Sequence, residues 1–224
     1  MALRSAPVPQ QRPEPVVNRA SVAPADSNAA TRPSDYRDRL RPTAYGWPLL
    51  QGWCVWVEPL DQAPTPDRWQ QRWSVAVEQA LGQWAALLPL QRVENVEAAQ
   101  IRLWRRRPPR QPGADGRLRA SHGRALLSLR QVDRGQGLRL EPWVEVFISP
   151  EQRAEALQAT ALHELGHAVG LWGHSDDPGD VMAARPGPQP LLQLSARDRA
   201  TLAWLYSQAT IFGQALAPPE GLAR

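Results

Sequence analysis

The sequence contains no lysine and a single cysteine. All 26 basic residues are therefore arginine, and against 22 acidic residues they leave a net charge of only +4. Because arginine stays charged at every accessible pH, it raises the pI to about 10.1 without creating a strong field. The lone Cys54 excludes an internal disulfide, and its place in the apolar run WCVWV favours a small buried thiol in a strand.

Long hydrophobic runs are also absent. The mean hydropathy is -0.46, and no apolar run approaches the roughly 18 residues that a membrane span needs, so no membrane span is predicted. The first residues, MALRSAPVPQQRPEPVV, lack the apolar segment of a secretory signal, and we expect no export by that route. Hydrophobic residues still make up 42% of the 224, enough for the core of one domain with extra length.

The composition divides the chain into three parts. Residues 1–46 are rich in proline, arginine, alanine and serine without periodicity, which predicts a disordered tail or pro-segment. Order is expected to begin near Trp47, giving a domain over 47–210 and a C-terminal tail over 211–224. The arginine run at 105–110 could contact nucleic acid or another polyanion, but a solvated turn is the favoured interpretation. No nucleic-acid motif accompanies the run, and no nucleic-acid partner is expected.

Periodicity predicts the order of elements inside this domain. Apolar residues at three- and four-residue spacing predict a helix that begins at Pro66 or Asp67 and stops at Pro89. A second helix should begin with Ser149 as N-cap and Gln152 closing a capping box, and end at Gly170. Ser195 should cap a last helix. Strands are predicted over 52–58, 91–96, 99–104, 120–129 and 141–148. This order indicates an α+β or α/β domain with one central sheet.

The segment HELGHAVGLWGH, residues 163–174, contains a complete set of metal ligands. His163 and His167 lie at i and i+4 on the second helix, so both imidazoles can reach one ion. Gly170 lets the chain turn back, and His174 then offers a third nitrogen. A catalytic zinc site uses three protein ligands and leaves one position open for water. Glu164 follows the first histidine and can act as the base for that water.

This segment resembles the zinc signature of the matrixins, the matrix-metalloproteinase group of the metzincin peptidases. Their pattern is HExxHxxGxxH, and here one additional residue, Gly173, precedes the third histidine; the flexibility of glycine can absorb it. Met182 resembles the methionine that forms an apolar floor beneath the zinc, although Ala183-Ala184 replaces the usual Tyr-Pro. The resemblance spans about residues 47–210. It implies an α+β metzincin fold, with a central twisted mixed sheet, an active-site helix and a C-terminal helix.

Two matrixin features are not found in the sequence. The second, structural zinc site needs several more histidines, and only His122 remains, to which we assign no metal role. The propeptide cysteine switch is missing too, because Cys54 lies inside the expected domain and lacks the surrounding motif. A latency ligand would have to come from the tail, where Asp35 and Asp38 are candidates. Structural calcium is implied by the family resemblance alone.

The sequence therefore predicts a zinc-dependent endopeptidase of polypeptide substrates. One Zn²⁺ would be held by His163, His167 and His174, Glu164 would be the catalytic base, and Met182 would form the Met-turn. An extended substrate should pair with an edge strand within 120–130. The alternative is a protein that uses its zinc site for binding or structure without proteolysis. A monomer is favoured, and the resemblance implies an extracellular enzyme although no signal is visible.

Overall fold

A five-stranded mixed sheet forms the centre of the molecule. The computed structural model describes residues 34–60, 67–112, 116–133, 135 and 137–216. The sheet strands are β1 (Trp53–Val57), β2 (Leu90–Arg92), β3 (Ile101–Trp104), β6 (Gly123–Asp133) and β7 (Leu138–Ile148), in the order β2-β1-β3-β7-β6. All neighbours are parallel except β6 and β7. Strands β4 (Gln111–Pro112) and β5 (Leu118–Arg119) form a separate antiparallel pair.

Three helices complete the fold. They are α1 (Arg68–Ala85), α2 (Ala154–Ala168) and α3 (Ala196–Tyr206), with short 3₁₀ turns at Arg37–Arg39 and Val96–Ala98. The α+β class with a central mixed sheet, as predicted, is confirmed. No helix in the described ranges is both long and apolar enough to cross a membrane.

Two buried tryptophans on α1 join the helices to the sheet. The Trp73 indole donates a hydrogen bond to the carbonyl of Ile148 at the end of β7, over 3.1 Å. The Trp84 indole donates to the carbonyl of Leu162 on α2, over 3.0 Å. Both side chains are fully buried, so each contributes a large apolar area to the core and satisfies its one polar atom. Trp73 thus joins α1 to the sheet, and Trp84 fixes α2 against α1.

The helix boundaries agree with the sequence at three ends and differ at one. Asp67 caps α1, Gly170 follows the end of α2 with a φ of 113°, and Ser195 caps α3 in a capping box with Asp198. The predicted start of α2 at Ser149 is wrong, because the N-cap is Arg153 and no side chain caps it. Gln152 instead donates to the carbonyl of Ser149, which closes a turn before the helix.

The strands differ from the predictions mainly in length. Strands β6 and β7 run together over eleven residues each, longer than expected, because their antiparallel register is continuous from Gly123↔Ile148 to Asp133↔Leu138. Strand β2 is only three residues long, and a 3₁₀ turn occupies part of the predicted strand 91–96. The polar pattern of QRVENVE does not show where pairing with β1 stops.

The hydrophobic core extends toward the N-terminus beyond Trp47. Tyr36 and Leu40 are each only 3% exposed and belong to the main core cluster. The predicted tail 1–46 thus contains packed residues from position 35 onward, while residues 1–33 lie outside the described part. Residues 211–216 of the predicted C-terminal tail are also described, and Phe212 is buried in the same core.

Arginines of the run at 105–110 contact neighbouring acidic side chains and an aromatic ring. Arg106 forms an ion pair with Glu58, and its guanidinium lies 4.3 Å from the Trp104 ring centroid. Arg107 forms an ion pair with Glu151. These contacts favour the interpretation of the run as a solvated turn, since the charges of Arg106 and Arg107 have partners within the chain.

We expect Trp84→Ala to lower the free energy of unfolding by about 3–5 kcal/mol, because loss of a fully buried indole leaves a cavity and removes the hydrogen bond to the Leu162 carbonyl. Urea unfolding of the chelator-treated protein measures this. Trp69→Ala on the same helix is the control: this side chain is 43% exposed, and the loss should stay below about 1 kcal/mol. Equal losses in the two variants would contradict the assigned role of Trp84.

Candidate metal centre

The last turns of α2 bring two histidines and one glutamate toward the sheet edge. His163 and His167 lie one helical turn apart, with ring centroids 4.8 Å from each other. Glu164, next to His163, is only 8% exposed, and His167 is 9% exposed. The helix therefore carries these polar side chains into a largely buried position, where each needs a partner or a ligand.

A glycine turn brings the chain back to the same place. At Gly170 the positive φ is required, and an added Cβ would lie 2.5 Å from the Leu49 side chain. The next residues turn tightly, with Trp172 N–H bonded to the Gly170 carbonyl over 2.8 Å and Gly173 N–H to the Leu171 carbonyl over 3.0 Å. These turns accommodate the additional residue before His174.

The structure brings together the three histidines that the sequence predicted as ligands. One ring nitrogen from each of His163, His167 and His174 lies within 4.8 Å of the others. Across the described ranges this is the one group of histidine, cysteine or acidic side chains able to hold a metal ion, and Cys54, His122, Asp35 and Asp38 do not belong to it. Three imidazoles with a partly exposed side are a donor set that fits zinc.

Backbone carbonyls orient two of the rings. His163 Nδ1 lies 2.7 Å from the Val181 carbonyl, and His167 Nδ1 lies 2.8 Å from the Leu171 carbonyl. A carbonyl only accepts, so in both rings Nδ1 carries the proton. This tautomer leaves the Nε2 lone pair available for a metal, and ligating histidines usually donate their other ring N–H to a carbonyl or carboxylate in this way.

Burial keeps the imidazoles neutral. It lowers the pKa of His167 to about 3, with a further contribution from the neighbouring His163 charge. Burial also lowers the pKa of His163 and of His174 from the ordinary value. A metal binds only the neutral ring. With their pKa values lowered, the three histidines can bind a metal at neutral pH without first losing a proton.

Burial has the opposite effect on the pKa of Glu164. It raises the pKa of this carboxyl to about 7, while the Ala125 backbone and the Arg124 charge oppose the rise. Strand β6 passes very close here, since an added Cβ at Gly123 would lie 2.7 Å from Glu164 Oε1. A carboxyl with a pKa near neutrality, beside three histidines able to hold a metal, is suited to accept and release a proton.

Met182 lies against α2 at Gly166, the residue before His167. It is fully buried, and an added Cβ at Gly166 would lie 2.3 Å from its sulfur. The Met182 carbonyl accepts the Ser175 N–H over 2.7 Å, which closes the loop 175–182 directly after His174. The absence of a side chain at Gly166 is therefore what lets α2 rest on the methionine.

Sequence reasoning missed Asp198, a buried residue of α3 that accepts hydrogen bonds from the backbone of this loop. It is 0% exposed, and it accepts the Val181 N–H over 2.9 Å and the Met182 N–H over 3.4 Å. The sequence showed only a helix beginning at Ser195; the acidic residue at its third helical position was the one available signal.

A cavity of about 520 Å³ opens beside the histidines and was also missed. Its walls come from β6, α2 and the proline-rich loop after the methionine, and most of them are apolar. The lining includes His163, Glu164, His122, Thr160, Ala184 and Pro188. From sequence the loop could be interpreted only as irregular, because the pocket forms between segments that are far apart along the chain.

Comparison with known families matches this arrangement. The family described as Matrixin matches residues 61–207, more than half of the chain, and the match includes all three histidines, Glu164 and Met182. A comparison with curated proteins gave no match. The mixed five-stranded sheet with its helices is consistent with the fold of that family. By the extent of this match, the chain belongs to the matrixin family.

Proposed function

We propose that this chain is a zinc-dependent endopeptidase. His163, His167 and His174 would hold one zinc ion, and Glu164 would serve as the general base. The observation that carries the proposal is the convergence of three imidazole ligands, within 4.8 Å of one another, next to a buried carboxyl. Membership in a family of metallopeptidases supports the same reaction class.

The protein's own groups account for the proton transfers. Bound zinc would polarise the scissile carbonyl and make water acidic enough to react near neutral pH. Glu164 would take the proton from the attacking water and deliver it to the leaving amine, so that one carboxyl serves as base and then as acid. Its raised pKa of about 7 lies close to the operating pH, which favours both transfers.

The sheet edge and the cavity support a polypeptide substrate. Strand β6 is one of the two edge strands of the sheet, and its backbone at Gly123 lies against Glu164. An extended peptide added to this edge would place its backbone across the metal site. The cavity of about 520 Å³ beside His163 would take one substrate side chain, and its apolar walls favour an apolar one.

The alternative is a protein that binds zinc for recognition or structure. A closed structural site would use four protein ligands, whereas three histidines gather here and a cavity opens beside them. A purely structural site has no need of a general base at Glu164. Zinc binding without cleavage of any member of a peptide library would favour this alternative.

Replacement of the general base separates catalysis from metal binding. Glu164→Gln should retain one zinc per chain while kcat/KM falls by about 10²–10⁴-fold, because the amide cannot accept the proton. Zinc analysis and cleavage of a fluorogenic peptide library measure the two quantities. Glu155→Gln, an exposed residue in the first turn of the same helix, should leave both unchanged. Near-normal activity of Glu164→Gln would disprove the assigned role.

Removal of the third ligand tests the metal site. His174→Ala should weaken zinc binding by more than about 100-fold, since even loss of an outer-shell partner commonly costs 10–100-fold. Competition with a chromophoric chelator gives the dissociation constant. His122→Ala is the matched control, because His122 lines the cavity but lies outside the ligand group. An unchanged dissociation constant for His174→Ala would remove it from the site.

The pH dependence of catalysis should report Glu164. Burial raises its pKa to about 7, and a bound dication favours the ionised form and lowers it again. We therefore expect kcat/KM to rise with pH through an acid limb centred below pH 7. The residual activity of Glu164→Gln should lack this limb. Zinc content is measured at each pH, so that loss of metal at low pH is not mistaken for protonation of the base.

A further inference from the structure

Residues 35–41, which we call the N-terminal strap, lie against the loop that carries His174. We propose that the strap is a positioning element for the third metal ligand and sets the affinity of the site for zinc. The proposal rests on the proposed zinc site and adds a function for residues outside both the motif and the family match at 61–207. Its first support is a backbone hydrogen bond of 2.8 Å from the Arg41 N–H to the Trp172 carbonyl.

The strap and the loop meet at Gly173, the residue immediately before His174. An added Cβ at Gly173 would lie 2.3 Å from the Arg39 carbonyl oxygen and 3.0 Å from the Leu40 Cα. Both are backbone atoms, which cannot rotate away from a new side chain. Gly173 is also the additional residue relative to the matrixin pattern. The position that lengthens the loop is thus the position where the strap backbone supports it.

The strap can support the loop because it is itself anchored. Tyr36 is buried, its hydroxyl donates to Asp198 over 2.8 Å, and its N–H donates to the Thr201 hydroxyl over 3.1 Å. Leu40 is buried in the main core, one residue before the contact with Trp172. Both anchors lead to α3 and the core rather than to solvent. The strap is therefore fixed relative to the folded core, and its contact with the loop fixes the loop as well.

His174 needs such support more than the other two ligands. His163 and His167 belong to α2, and their rings are fixed by the Val181 and Leu171 carbonyls. His174 lies in a loop, is exposed, and has no hydrogen bond to its ring from any residue in the described ranges. Its position consequently depends on the backbone of the loop, and the strap contacts that backbone directly.

Charged contacts at the same place are secondary. Arg39 pairs with Asp176 over 3.3 Å, but both side chains are about half exposed, and such pairs contribute little. Arg197 also pairs with Asp176, over 3.1 Å, and donates to the Asp35 carbonyl over 3.4 Å. These contacts add charge complementarity between strap and loop. The backbone contact at Gly173 and the hydrogen bond from Arg41 carry the positioning role.

Two pairs of substitutions in the full-length protein test the proposal. Gly173→Ala should raise the zinc dissociation constant by about 10–100-fold, the effect typical of losing a group that orients a metal ligand. Its control is Gly82→Ala, where an added Cβ meets nothing within 4 Å. Arg41→Pro removes the N–H donor to Trp172 and should raise the constant by about tenfold. Arg41→Ala, which keeps that N–H, should stay within about twofold of the wild type.

The readouts separate positioning from a general loss of structure. Zinc affinity is measured by chelator competition under conditions where circular dichroism shows each zinc-free variant to be folded. The visible absorption of the cobalt-substituted protein reports the ligand geometry, and it should change in Gly173→Ala and Arg41→Pro but not in their controls. If Gly173→Ala does not fold, Arg41→Pro decides the question alone.

The outcomes distinguish failure of this proposal from failure of the proposed function. Wild-type zinc affinity and cobalt spectra in folded Gly173→Ala and Arg41→Pro overturn the positioning role and leave the peptidase intact. A wild-type protein that binds no zinc overturns both. Zinc binding that weakens as expected, with no peptide cleaved, supports the strap and contradicts the peptidase, because affinity and cleavage are measured separately.

Discussion

The buried carboxylate of Asp198 is the interaction on which the candidate site depends. A fully buried charge must have its oxygens hydrogen-bonded, and Asp198 accepts the N–H groups of Ser195, Val181 and Met182 as well as the Tyr36 hydroxyl. These donors come from α3, the methionine turn and the strap. Because the Val181 carbonyl in turn orients His163, one carboxylate connects the N-terminal segment, the C-terminal helix and the first candidate ligand.

Burial shapes the chemistry of the site in two opposite ways. It lowers the pKa of the histidines, which keeps them neutral and ready to bind a cation, and it raises the pKa of Glu164 to about 7. Both effects have the same origin, since a charged group is disfavoured where water is excluded. A cation at the histidines would offset the second effect by favouring the carboxylate. Binding of a cation and ionisation of Glu164 are therefore coupled through electrostatics.

Local sequence signals were informative where local chemistry decides the conformation. Asp67 and Ser195 cap their helices as predicted, and Gly170 adopts the left-handed conformation that ends α2. Ser149 shows the limit of such reasoning. Its spacing to Gln152 resembles a capping box, yet the Gln152 amide bonds the Ser149 carbonyl and the Thr160 hydroxyl instead. The Tyr36 and Leu40 positions were missed because two apolar residues in a proline- and arginine-rich region give no periodicity.

The sequence by itself determined which three histidines come together, the neighbouring carboxyl and the order of helices and strands, because these depend on residue types at short, fixed spacings. An i, i+4 pair on a helix and a glycine that ends it leave few alternatives. Only the tertiary structure decided what surrounds them: the cavity between β6 and the proline-rich loop, the buried Asp198, and the strap against Gly173. Each of these joins segments far apart along the chain, and long-range packing leaves no periodic pattern in the sequence.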